Sequence, residues 1–238
     1  MGRLKHIIFM NTISREVLET LTPQDAYNLL QEGNDRFVKN LKLNRNIQQQ
    51  LSETVDGQFP HTVSLSCMDS RTTVEHIFDQ GLGDMFSIRI AGNVINNDIL
   101  GSLEYACQVA GSRLVMVLGH TRCGAVKGAC DEVKMGNLTP LLHKILPAID
   151  STNAYGLSRT NQLFAEKVAY TNVLLSMEAI LKQSDILKKL LEEGRIGMVG
   201  GMFSLESRRV HFIKEMFQQA TPETNEPHYF STLDNNNS

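Results

Sequence analysis

Two periods of apolar residues alternate along the chain. His61 to Ser66 (HTVSLS), Asp84 to Ile90 (DMFSIRI) and Arg113 to Gly119 (RLVMVLG) are short apolar or β-branched runs that read as strands, the last giving the strongest buried-strand signal. Between them, Ile99, Leu100, Leu103, Ala106, Cys107 and Ala110 recur at three and four, which predicts a helix over Asn97 to Ala110. Further on, a helix is expected to open near Cys123, a second to lie within Leu138 to Ile149, a long one to span Ser158 to Gln183, and another to run from Asp185 to Glu193. Arg195 to Phe203 (RIGMVGGMF) and Arg209 to Phe212 read as two closing strands. Strands and helices that alternate in this way predict an α/β fold, with a mainly parallel central sheet and helices on its faces.

The N-terminal region differs. Thr22 and Pro23 mark a helix start, as N-cap and first helical residue, and Ala26, Leu29, Leu30 and Phe37 give that helix one apolar face. The stretch from Asn40 to Gln58 is polar and weakly patterned. Residues 1–58 therefore read as an N-terminal helical arm whose apolar face needs a partner surface, residues 59–219 as the α/β domain, and residues 220–238 as a flexible tail.

Composition narrows the function. A formal net charge of −3 over 238 residues gives no general attraction to nucleic acid or anionic membrane. No apolar run is long enough to cross a bilayer, and the patch ending at Met10 is too short for a signal peptide, so the cytoplasm is the expected compartment. Four cysteines, Cys67, Cys107, Cys123 and Cys130, are too few for a disulfide framework. Such thiols are more often buried, metal-bound or catalytic; Cys107 and Cys130 fall on predicted helices as small core residues.

Two segments carry candidate chemistry: Ser66-Cys67-Met68-Asp69-Ser70-Arg71 and Gly119-His120-Thr121-Arg122-Cys123-Gly124-Ala125. Each follows a predicted parallel strand, and loops at the carboxyl ends of such strands meet in one crevice. Cys67, His120 and Cys123 would then supply three zinc ligands, leaving a fourth position for water, which is the catalytic arrangement. A helix start at Cys123 would help ionise its thiol. The weak phosphate-loop match at Gly119 and Gly124 lacks Gly-Lys-Ser/Thr, and the glycines from Gly197 to Gly201 fit close strand packing better than nucleotide binding. His61 and His76 lie near the first ligand in sequence, where a plain polar role is the simpler reading.

C-x-D-S-R followed some fifty residues on by G-H-x-x-C-G resembles the signature of the β-carbonic anhydrases. The likeness runs from about Thr22 to Ile213 and includes Arg89-Ile90-Ala91-Gly92-Asn93 and Ser102-Leu103-Glu104-Tyr105-Ala106. It implies one zinc per chain and reversible hydration of carbon dioxide to bicarbonate and a proton through zinc-bound hydroxide. It also implies an antiparallel edge strand on the sheet and a homodimer or higher even oligomer, with the N-terminal helices wrapped on the partner subunit. By the same resemblance, Asp69 accepts a hydrogen bond from the hydroxide and Arg71 clamps the Asp69 carboxylate away from the metal. Plant-type members bind substrate-like ligands through residues that correspond here to Gln58, Phe86 and Tyr105. Allosteric members carry a tryptophan three residues before the first zinc cysteine. Ser64 stands there in a chain without tryptophan, so that regulatory site is expected to be absent. The competing readings are hydrolysis of carbon disulfide or carbonyl sulfide on the same scaffold, a non-catalytic zinc-binding protein, and a Rossmann-like nucleotide binder. The last lacks a Gly-rich turn after the first strand.

Overall fold

The run RLVMVLG becomes the central strand of a five-stranded sheet. In the computed structural model, which describes residues 12–153 and 162–218, strand β3 (Leu114–His120) is buried along its whole length. It lies between β1 (Thr62–Ser66) and β4 (Gly197–Phe203), with β2 (Met85–Arg89) beyond β1 and β5 (Val210–Met216) beyond β4. All neighbouring pairs are parallel except β4 with β5, which is the expected antiparallel edge. The last strand extends beyond the Arg209 to Phe212 run read from sequence, because β4 offers it a partner as far as Met216. The N-terminal residues before 12, the tail at 220–238 and the first turn of the helix expected from Ser158 lie outside the described residues.

Helices cover both faces, and the alternation along β3 decides which side chains meet which helices. Val115 and Val117 join Val63, Leu65, Met198 and Met202 in a core under α5 (Asn97–Glu104), α6 (Gly124–Cys130), α8 (Leu146–Asn153), α9 (Gln162–Gln183) and α10 (Asp185–Glu192). Leu114, Met116 and Leu118 point the other way, into a second core with Val199, Phe203 and Val210. The second core is closed by α2 (Pro23–Val38) and the short α4 (Val74–Ile77).

Two expectations need correction. The apolar face of α2 does not wait for another subunit: Ala26, Tyr27 and Leu30 are buried in this chain's own second core, and Leu29 packs with Ile13, Leu18 and Leu21 of the segment around α1 (Arg15–Thr20). Its start is as expected, with a reciprocal cap in which the Asp25 N–H donates to Thr22 Oγ1 and the Thr22 N–H donates to Asp25 Oδ2. What stays uncovered is the next segment, where Leu41, Ile47, Leu51 and Val55 are exposed on and around α3 (Ile47–Glu53), a helix its polar sequence concealed. The second correction concerns Leu138 to Ile149, which forms two helices, α7 (Leu138–His143) and α8. Pro147, lacking an N–H, fits the first turn of a new helix better than the middle of an old one. Beyond α5 the chain also widens into a π turn over Tyr105–Val109, where the Ala110 N–H donates to the Tyr105 carbonyl.

At the amino end of the strands, Asp84 is 3% exposed; one carboxylate oxygen accepts from the Gly81 N–H and the other has no hydrogen-bond partner. Burial raises its pKa from 3.8 to about 6. An acid whose folded pKa is raised costs stability as pH climbs through that interval, here by about 3 kcal/mol once fully ionised. Asp84→Asn should therefore be more favourable to stability at pH 8 than at pH 4, by a difference of about that size in denaturant unfolding. An effect equal at both pH values would mean that Asp84 titrates in the folded chain as it does in the unfolded one, with no raised pKa.

Candidate metal centre

The chain leaves β1 toward β2 on one side and leaves β3 toward β4 on the other, so a crevice opens between the carboxyl ends of these two neighbours. Cys67 directly follows β1, His120 is the last residue of β3, and Cys123 is the N-cap of α6. Three side chains from two distant stretches thus meet at one point, with their donor atoms all within 4.8 Å of one another. The two sulfurs are 3.9 Å apart. Two sulfurs bonded to one tetrahedral zinc ion stand about 3.8 Å apart, so the spacing fits that ion.

His120 is oriented for the same purpose. Its Nδ1 lies 2.8 Å from the Thr121 carbonyl, an acceptor, so this nitrogen carries the hydrogen. That leaves the Nε2 lone pair, which is buried and has no hydrogen-bond partner, facing the sulfurs. A histidine metal ligand is commonly fixed through its second nitrogen in this way. The three residues fit a zinc ion on both spacing and chemistry.

The thiols share their proton unequally. Hydrogen bonding from Cys123 holds the Cys67 thiol far below its ordinary pKa, with help from the Gly92 N–H, which donates to the Cys67 sulfur at 3.4 Å. Cys123 is pushed up in consequence, by its bond to Cys67 and then by burial. The backbone N–H groups of Val126 and Ala125 at the start of α6 do pull Cys123 down, as expected of a helix N-terminus, but they are outweighed. A dication between the sulfurs demands thiolate from both.

Beside the triad, Arg71 grips Asp69 with Nε on Oδ1 at 2.9 Å and Nη2 on Oδ2 at 2.7 Å, while its own N–H also donates to Oδ1. This two-pronged hold brings the Asp69 pKa down to about 2. Oδ2 stands 4.0 Å from His120 Nε2, so the carboxylate borders the donor cluster.

Both ligand loops are braced by residues that the sequence did not single out for this role. Arg89 donates to the carbonyls of Cys67 and Asp69, and the Thr72 hydroxyl to that of Asp69. On the second loop, the Thr121 N–H donates to the Phe203 carbonyl, Thr121 Oγ1 accepts from the Leu205 N–H, and Glu166 Oε1 accepts from the Arg122 N–H. The available signal for Glu166 was an acid standing in register with the buried face of its helix.

The substrate-pocket candidates are placed differently. Phe86 and Tyr105 meet edge to face, 6.2 Å between centroids, beside a groove of about 630 Å³ that includes Val63 and Asn97. Phe86 pairs with Val63, four positions before Cys67, which puts it about 13 Å back along the sheet. Gln58 is exposed and precedes β1, at the end opposite Cys67. Within one chain, these three do not line the Cys–His–Cys crevice. His61 is fully buried at that same far end, bonded to Thr62 and Gln80, in a polar structural role. Cys107 is a buried helical thiol whose pKa burial pushes up to about 12.

The fold is an open α/β sheet, mainly parallel with an antiparallel edge, and the Cys2His donor set at its switch point could hold a metal ion. Residues 62–210 match the family model described as carbonic anhydrase. The carbonic anhydrase of Mycolicibacterium smegmatis is 38% identical over 195 residues, spanning 79% of this chain and 92% of that protein. Among solved structures, the β-carbonic anhydrase CafA of Aspergillus fumigatus superposes with a TM-score of 0.63 at 26% identity, over 70% of this chain and 81% of its own. One of two tetrameric β-carbonic anhydrases from Sordaria macrospora gives a TM-score of 0.64 at 20% identity, over 68% and 85%. The chain belongs to the β-carbonic anhydrase family.

Proposed function

We propose that this chain catalyses the reversible hydration of carbon dioxide to bicarbonate and a proton at a zinc ion held by Cys67, His120 and Cys123. The observation that carries the reading is the convergence of these three donors beside a carboxylate already committed to Arg71. Zinc bound there supplies a Lewis acid that makes a water molecule acidic. Asp69, held ionised near neutral pH by Arg71, would accept a hydrogen bond from that water and orient it toward the substrate. Arg71 keeps both Asp69 oxygens occupied, so the carboxylate orients the nucleophile and does not seal the site as a further ligand.

Gln58, Phe86 and Tyr105 complete the pocket in this reading, the amide donating to a substrate oxygen and the rings forming an apolar wall. Their separation from Cys67 along the sheet supports a place for them in the crevice of a second copy, with a homodimer or a higher even oligomer as the working unit. The exposure of Tyr105 supports this, as does the uncovered row Leu41, Ile47, Leu51 and Val55, which would dock on the partner as the active part of the N-terminal arm. Ser64, buried in β1 with its hydroxyl donating to the Phe86 carbonyl, supports the plant-type subclass without the allosteric tryptophan site. Among the described residues, no helix is long and apolar enough to cross a membrane, in keeping with a cytoplasmic enzyme. No observation favours the sulfur-analogue hydrolase, and a passive zinc holder has no use for the Asp69–Arg71 clamp.

Stopped-flow hydration of carbon dioxide, with zinc measured on the same sample, tests the proposal. About one zinc per chain is expected, with activity lost on chelation and restored by zinc. Protein that stays metal-free after zinc-replete expression, or that holds zinc without hydrating carbon dioxide, would overturn it.

A further inference from the structure

The loop that carries His120 and Cys123 turns at Arg122, whose φ of 55° lies in the left-handed region disfavoured for residues with a Cβ. Something must hold it there. The Arg122 N–H donates to Glu166 Oε1 at 2.8 Å, and Glu166 reaches the loop from α9, forty-four positions later in the chain. Glu166 is 6% exposed, and its second oxygen is buried without a hydrogen-bond partner. Burying half a carboxylate unpaired is unfavourable, so the position serves something other than packing.

The seat of α9 explains how the reach is made. A Cβ on Gly119 would lie 2.7 Å from both Val173 Cγ2 and Met202 Sδ, so only glycine lets the helix settle this close to the end of β3. Glu166, Ala169 and Val173 share one helix face, and the acid then falls beside the ligand loop. The Arg122 carbonyl accepts from Arg71 Nη2 at 3.4 Å, so one residue links the buried acid to the clamp on Asp69. Burial raises the Glu166 pKa while the Arg122 amide lowers it, and Oε1 remains an acceptor in either protonation state.

We infer that Glu166 is a positioning residue of the metal centre: by holding the Arg122 amide it fixes the left-handed turn that sets His120 and Cys123 at the spacing of two metal donors. The inference rests on the zinc reading above. Zinc transfer from the loaded protein to a competing chelator measures it without reference to turnover.

Glu166→Ala should release zinc at least about tenfold faster than the unaltered protein, and Glu166→Gln, which keeps an acceptor, should stay within about threefold. Adding Arg122→Gly to Glu166→Ala should recover most of the loss, because glycine adopts this φ unaided. A helix-packing role would not be rescued by a change in the loop. Release from Glu166→Ala at the unaltered rate, equal losses in the Ala and Gln variants, or no recovery in the double variant would each overturn the inference. If Glu166→Ala alone does not fold, the double variant decides: folding with zinc retained supports the inference, and failure to fold overturns it. An unaltered protein that holds no zinc would overturn the zinc reading itself.

Discussion

A protein carrying Cys123→Ser is expected to purify without stoichiometric zinc and to hydrate carbon dioxide no faster than buffer alone. The alcohol does not ionise as a thiol does, so only Cys67 and His120 remain as donors, and two donors do not make a zinc site of this kind. The fold should survive the change. Cys123 makes no side-chain capping bond at the start of α6, and serine is among the preferred N-cap residues. Metal analysis and stopped-flow rates on folded protein, checked by circular dichroism, separate loss of the ion from loss of structure. Full zinc occupancy in this variant would show that the ion sits elsewhere.

Asp69→Asn should do the reverse: zinc stays near one per chain, while kcat falls by about 10²- to 10³-fold. Asp69 is outside the donor cluster, so its loss leaves the metal in place. An asparagine that turns its carbonyl to Arg71 presents an N–H₂ donor where the nucleophile needs an acceptor. The sign of the pH dependence follows from the Arg71 clamp. An acid lowered from 3.8 to about 2 contributes fully above the higher value and is lost only as pH falls through the lower. Asp69 protonation therefore does not shape the activity profile between pH 6 and 9. Unchanged turnover in the variant would remove Asp69 from the mechanism.

The strand pattern was readable because the central strands are buried on both faces, which leaves continuous apolar runs such as RLVMVLG. The metal donors were readable because each stands at a strand end inside a short motif. The helix α3 was hidden: its buried residue is Gln50, and its apolar side chains face outward, so no inward periodicity marks it. The home of α2 was missed because an apolar helix face records that it is buried, not by which surface. Glu166 and Arg89 bond to backbone groups of residues far away in sequence, so no motif spacing marks them, and for Glu166 the one signal was its register with a buried helix face. Gln58, Phe86 and Tyr105 were identified by resemblance as one pocket, whereas a single chain spreads them along the sheet away from its own Cys67.

Gly119 leaves this reaction centre no slack on its inner side, since a methyl group there would strike two neighbours at once. Freedom to vary lies on the outer rim, where Met68 and the Arg122 side chain face solvent in the described chain. Divergence among descendants of this enzyme, and any attempt to retune it, should accordingly accumulate around the mouth while the floor beneath α9 stays frozen.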